Sequence, residues 1–163
     1  MAAEKEKQAT ARTSGDAAFA TNVEVEGINI LVDEPASVGG GAAGPTPYEL
    51  LSAALAACTS MTLRLYARGK NWDLPEFEVI VSHTVPPANP PRDRFDRHIV
   101  FKQPVTADRL QRLLEMADRC PVHRTLSRPS DVVTWADNPV APLPSEPPGE
   151  HFRQMEQACV DEG

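Results

Sequence analysis

The spacing of hydrophobic and polar positions changes several times along the chain, and each change marks an element. Phe19 to Val25 and Ile28 to Val32 are short β-prone runs meeting at Gly27, a pattern that predicts a hairpin and the first two strands. Residues 35 to 45, Pro-Ala-Ser-Val-Gly-Gly-Gly-Ala-Ala-Gly-Pro, then form a loop whose glycines let the backbone pass close to another element or a ligand. The loop lacks the Lys-Ser/Thr ending of a phosphate-binding loop. After it, Thr46 is a natural N-cap, Pro47 stands at the first helical position, and Glu49 completes a Thr-x-x-Glu capping box. This helix is predicted to run to about Arg68. From Leu50 to Cys58 it is apolar on all sides, the mark of a helix enclosed by other elements, and polar residues resume at Thr59, Ser60, Thr62 and Arg64.

Alternation returns at Glu76 to His83, where Phe77, Val79, Val81 and His83 share one face of a strand. The proline cluster Val85 to Pro91 breaks it, and Arg97 to Lys102 begins the next strand. A second helix is expected from Thr106, with Asp108 in its first turn and Leu110, Leu113, Leu114 and Ala117 on one stripe. It stops at Cys120-Pro121. Pro121 can open a short helix through His123 and Leu126 with Cys120 as its N-cap, and a final strand is expected at Asp131 to Trp135. The order predicts an α+β fold, with mainly antiparallel sheet packed around a long central helix. The expected layout is a flexible N-terminus over 1–10, a domain over 11–137, and a flexible acidic, proline-rich tail over 138–163. One sheet does not cover a helix that is apolar all round, so a second copy of the chain is expected to supply the remaining wall as a homodimer.

Composition adds mostly exclusions. A chain of 163 residues with 41% hydrophobic and 24% charged residues suits one globular domain with a real core. A formal charge of −7 offers no basic stripe for nucleic acid or an anionic membrane, so neither partner is expected. Met1 to Thr13 has no apolar secretory run, and no segment reads as the roughly 18 apolar residues of a membrane span, so the expected location is cytoplasmic. In that compartment three cysteines are too few and too scattered for a disulfide scaffold. A bond between two of them would be transient and catalytic.

Cys58 and Cys120 are the candidates for that chemistry. Cys58 lies deep in the apolar helix, Cys120 stands at a proline-marked helix start, and the two can meet only through the fold. Cys159, in the acidic tail, reads as incidental. A cysteine after Ala-Ala on an apolar helix is commonly just packing, so the weight rests on the pair.

Asp33-Glu-Pro, Gly39-Gly, Gly44-Pro-Thr-Pro-Tyr-Glu-Leu-Leu, Ala56-Ala-Cys58-Thr-Ser-Met-Thr-Leu-Arg-Leu-Tyr-Ala and Cys120-Pro-Val-His-Arg-Thr-Leu resemble the OsmC-like family, which includes the organic hydroperoxide resistance proteins. The resemblance covers roughly residues 10 to 136. It implies an intertwined homodimer and a thiol-dependent reductase of organic hydroperoxides. Cys58 matches the attacking cysteine, which becomes a sulfenic acid, and Cys120 matches the one that resolves it. An external dithiol, of the lipoyl type in the better studied branch, would return the enzyme to its reduced form. Local physics points the other way, since burial raises the Cys58 thiol while Cys120 gains thiolate character from its own short helix.

Activation of Cys58 therefore needs a cation. Hydroperoxide-reducing relatives pair an arginine from the N-terminal part with a glutamate at the start of the central helix, and Arg12 is the positional match; Arg64 and Arg124 are substitutes. The family's glutamate position is occupied by Tyr48, and Glu49 follows it. At about 100° per residue Tyr48 lies about 80° from Cys58 around the helix and Glu49 on the opposite side, both about 14 Å away along the axis. Capping accounts for Glu49 better than catalysis, and the Tyr48 hydroxyl is left to orient Arg12 or a peroxide oxygen. His83 and His123 raise a zinc reading beside the cysteines, but their spacing matches no local zinc motif, and neither metal nor cofactor is expected. Met61, Phe77 and Trp135 read as core or pocket-wall residues suited to an alkyl or lipid hydroperoxide. The reading from a different class is a non-catalytic small-molecule-binding or redox-sensing module on the same fold.

Overall fold

The computed structural model describes residues 8–13, 18–88 and 92–136. The expected tail and Cys159 lie outside them. A compact unit runs to Ser130. Its elements are strands β1 (Ala9–Thr13), β2 (Thr21–Val25) and β3 (Ile28–Val32), the long helix α1 (Pro47–Gly69), strands β4 (Phe77–Thr84) and β5 (Arg94–Phe101), and helices α2 (Ala107–Asp118) and α3 (Pro121–Leu126). The strands form two antiparallel sheets, β1-β2-β3 and β4-β5.

The expected hairpin is β2 and β3, with Val25 opposite Ile28 and a two-residue turn at Glu26 and Gly27. Both turn residues have positive φ, 51° and 81°, the geometry that matches the twist of the flanking strands. The sequence reading missed β1: Ala9–Thr13 has only two apolar residues, both alanine, and is exposed throughout, so it joins the sheet by backbone pairing and not by apolar burial. The glycine loop is held by the carboxylate of buried Asp33, which accepts hydrogen bonds from the amides of Glu34 (2.8 Å), Gly41 (2.9 Å) and Ala43 (3.1 Å). The Ala43 and Glu34 amides lead in holding this carboxyl below the ordinary aspartate range, against desolvation, with Gly41 adding to them. The loop glycines do allow close backbone approach. A Cβ on Gly44 would sit 1.8 Å from the carbonyl oxygen of Leu31, and one on Gly40 1.9 Å from that of Glu34.

α1 starts where the capping box places it. The Thr46 hydroxyl accepts from the Glu49 amide (3.3 Å), the Glu49 carboxylate accepts from the Thr46 amide (2.7 Å), and Pro47 follows the cap. The expectation of a helix enclosed on all sides is corrected within the single chain. Ser52, Leu55, Thr59, Leu63 and Ala67 are buried on one face, whereas Leu51, Met61 and Leu65 are 42%, 69% and 65% exposed. By length and composition alone α1 is long and apolar enough to cross a membrane, which also corrects the sequence reading. Its packed face makes it the core helix of this unit instead.

Leu63 meets Leu113 and Ala117 of α2 at the centre of the core, with Phe77, Ile99 and Phe101 from the two-stranded sheet and Trp72 packed around them. Phe77 is thus a core-edge residue, and Met61 stands outside the core, lining a shallow surface cleft with Arg64, Leu65 and Arg68. Of the α2 stripe, Leu113 and Ala117 are buried, while Leu110 and Leu114 are 37% and 49% exposed. β4 and β5 alternate half-buried and exposed positions along their whole length, and Phe77, Val79, Val81 and His83 share the inner face. The strand expected at Asp131 to Trp135 is not formed: these residues have no regular secondary structure, and Val132, Val133 and Trp135 are exposed. β-prone side chains do not make a strand without a neighbouring edge to pair with.

Two substitutions check this architecture. Thr46→Ala removes one half of the capping box and should cost about 1 kcal/mol. Gly44→Ala forces a methyl against the Leu31 carbonyl and should cost about 3 kcal/mol as overpacking. Urea unfolding reads both, and a parental midpoint for Gly44→Ala would contradict the close approach.

Candidate functional site

Cys58 stands about three turns into α1 and Cys120 caps α3, and the fold brings them together. Both are free thiols. They lie within hydrogen-bonding reach of each other, Cys58 half-buried and Cys120 with no exposed surface. Helical geometry explains the difference. At about 100° per residue the buried face of α1 spans Leu55 to Ala67 over about 120°, and Cys58 sits about 60° beyond Leu55. There it joins a second, open stripe made of Leu51, Ala54, Met61 and Leu65. Cys58 therefore stands where the packed core borders an uncovered apolar strip.

The two thiols are not equivalent. Burial pushes the Cys58 thiol up, and the neighbouring Cys120 adds to the rise; the Val122 amide and the Thr62 side chain oppose it without prevailing. The Thr62 hydroxyl also donates to the Cys58 carbonyl at 2.8 Å, which limits what it gives the sulfur. Burial opposes ionisation of Cys120 as well, but there hydrogen bonds win. Cys58, the His123 amide, the Thr59 hydroxyl and the Val122 amide together bring Cys120 below the ordinary thiol range. The sulfur makes no full side-chain cap bond to α3, so the amides act by proximity. Within the pair the proton is therefore favoured on Cys58 and the charge on Cys120.

Arg97 is the cation of this region, and the sequence reading did not single it out. Its side chain is 13% exposed. One terminal nitrogen donates to the Thr59 hydroxyl (3.1 Å) and to the Ala117 carbonyl (2.9 Å), and the other to the Asp118 carboxylate (2.8 Å). A signal was present: Phe95, Arg97, Ile99 and Phe101 alternate on the inner face of β5, so an arginine takes an apolar position.

The remaining candidates stand elsewhere. Arg12 on β1 binds Glu24 of β2 at 2.9 Å, with the arginine side chain 60% exposed, and is not among the groups bonded to either cysteine. Arg64 and Arg124 are exposed. Glu49 is occupied in the capping box. The Tyr48 ring stacks on His83, centroids 4.2 Å apart, and His83 is also in contact with Phe95 and binds Asp93 at 2.7 Å. Tyr48, Glu49, Ser52, Ala56, Val81 and His83 are among the residues lining a cleft of about 670 Å³, which Cys58 and Cys120 do not line. No three His, Cys, Asp or Glu side chains gather as metal ligands among the described residues.

A family model for OsmC-like proteins matches residues 39–135, more than half of the chain. The protein belongs to the OsmC-like family. Solved structures agree on the fold, an α+β arrangement of antiparallel sheets with a long helix. A candidate osmotic stress induced and detoxification response protein from Psychrobacter arcticus is 21% identical with a TM-score of 0.64, covering 77% of this chain and 91% of its own. The organic hydroperoxide resistance protein OsmC of Legionella pneumophila is 19% identical with a TM-score of 0.60, over 76% and 90%. The organic hydroperoxide resistance protein OhrB of Bacillus subtilis is 22% identical with a TM-score of 0.53, over 73% and 88%. No curated protein sequence matches the chain.

The two thiols should titrate separately. In a Cys159→Ser background, ultraviolet thiolate absorbance should rise in two steps, one below and one above the ordinary thiol value of about 8.5. A single step near that value with the full amplitude would contradict the coupling.

Proposed function

We propose that this protein is a thiol-dependent hydroperoxide reductase that works as a homodimer through Cys58 and Cys120. The observation that carries the reading is the contact between two free cysteines, one half-exposed and one fully buried. Of the two, Cys58 offers surface to a substrate and hydrogen bonds favour the charge on Cys120, so the two sulfurs divide the work. As a hydroperoxide approaches, the Cys58 proton passes to Cys120 and the Cys58 sulfur attacks the outer oxygen. The O–O bond breaks, an alcohol leaves after taking up a proton, and Cys58 becomes a sulfenic acid. The Cys120 sulfur then attacks Cys58, water leaves, and a disulfide forms. An external dithiol reduces it, becoming a disulfide itself and restoring both thiols.

The open stripe beside Cys58 supports the rest of the reading. Leu51, Ala54, Met61 and Leu65 would line an apolar approach suited to an organic rather than an aqueous peroxide. A second copy laid over the stripe would cover it and close the site. Arg12 would serve Cys58 only across such an interface, since within its own chain it is engaged by Glu24. The relatives named for organic hydroperoxide resistance point the same way. A cytoplasmic pool of dithiols, lipoyl groups among them, would supply the reductant.

One observation favours the sensing alternative: the Cys58 thiol is raised and, among the described residues, no cation is bonded to it, which slows attack. Dithiol-coupled consumption of an alkyl hydroperoxide separates the two. The reductase consumes many equivalents per chain, Cys58→Ser falls to the uncatalysed background, and Cys120→Ser consumes peroxide without forming an intrachain disulfide or turning over with the dithiol. One equivalent per chain and no further turnover in the parent would replace the enzyme by a redox-sensing module.

A further inference from the structure

Resting on the two-cysteine reading, we propose that Arg97 is a positioning residue that acts through Thr59 to hold the negative charge of the cysteine pair on Cys120. The direction of each hydrogen bond follows from what the groups can do. A guanidinium only donates, so the Thr59 oxygen accepts from Arg97. Thr59 has no exposed surface and a single hydroxyl proton, and with its oxygen turned to Arg97 that proton is free to go to Cys120. Cys58 lies beside the same sulfur and helps to lower its pKa. Cys120 is thus the end point of a donor chain that begins at a largely buried positive charge.

Arg97 also fixes where that end point lies. Its bonds to the Ala117 carbonyl and to Asp118 clamp the last turn of α2, and Cys120 follows two residues later, its own amide donating to the Ala117 carbonyl at 3.2 Å. The same guanidinium therefore sets both the position of the sulfur and the polarity of the hydroxyl that meets it. The other titratable and charged groups on the elements around Cys120 are Cys58 on α1, Asp118 and Arg119 at the end of α2, and His123 and Arg124 on α3. Arg119 and Arg124 are exposed, and His123 faces Asp118 at 3.9 Å. None of these donates to the Thr59 oxygen.

A purely structural Arg97 would affect unfolding alone, so the test reads the charge itself. The background is Cys58→Ser with Cys159→Ser, in which Cys120 is the only thiol, followed by ultraviolet thiolate absorbance against pH. Arg97→Met should raise the Cys120 midpoint by about one pH unit or more, and Arg97→Lys should recover part of the shift. Thr59→Val keeps the shape of the core and the Arg97 bonds to α2, yet should raise the midpoint in the same direction. Thr59→Ser restores the hydroxyl and should return the parental value. Should Arg97→Met fail to fold, the Thr59 pair decides alone. A parental midpoint in Thr59→Val overturns the proposal. The titration contains no peroxide: a shifted midpoint without turnover would discard the reductase reading and keep the role of Arg97, while turnover with an unmoved midpoint would do the reverse.

Discussion

One largely buried guanidinium joins the parts that make the site. Arg97 leaves the inner face of β5, meets α1 at Thr59, and ends on the last turn of α2. Burying a charge is costly unless it is paired and its donors are used, and here three acceptors from two helices surround it. Because those helices carry Cys58 and lead into Cys120, satisfying the arginine brings the two sulfurs into register. The apolar contacts of Leu63, Leu113 and Ala117 supply the burial energy of the core but would tolerate small shifts. Hydrogen bonds to a planar fork tolerate less.

The asymmetry of the cysteine pair follows from this arrangement. Both sulfurs suffer desolvation, and the difference lies in donors: at Cys120 the Thr59 hydroxyl, two amides and Cys58 outweigh burial, whereas at Cys58 the Val122 amide and Thr62 do not. Resemblance places attack on Cys58, and the local hydrogen bonds favour the charge on Cys120. The proposed mechanism reconciles them by treating proton and substrate separately: the buried sulfur would carry the charge and the exposed one would meet the peroxide. The open stripe next to Cys58 is then part of the same design, since an apolar approach lowers competition from water.

Much of this was legible in the sequence where signals were local. Thr46, Pro47 and Glu49 announce the start of α1, Glu26-Gly27 lies at the hairpin turn, and Cys120-Pro121 marks the start of α3. Less was legible where the cause lies far along the chain. β1 has no apolar pattern and exists through pairing with β2, while Asp131 to Trp135 has the pattern without the pairing. Arg97 reaches Thr59 across 38 positions, a contact that no local spacing can announce. The apolar circumference of α1 signals enclosure by other elements, but which face its own chain covers is not legible from it, and a single copy covers one face only.

The central claim is that Cys58 and Cys120 form one redox unit, and peptide mapping by mass spectrometry addresses it most directly. The reduced protein, exposed to one equivalent of an alkyl hydroperoxide and then alkylated and digested, should yield a linked pair of peptides containing Cys58 and Cys120 from the same chain. Linkage of either cysteine to Cys159 instead, or oxidation of Cys58 to sulfinic acid with Cys120 still alkylatable, would contradict it.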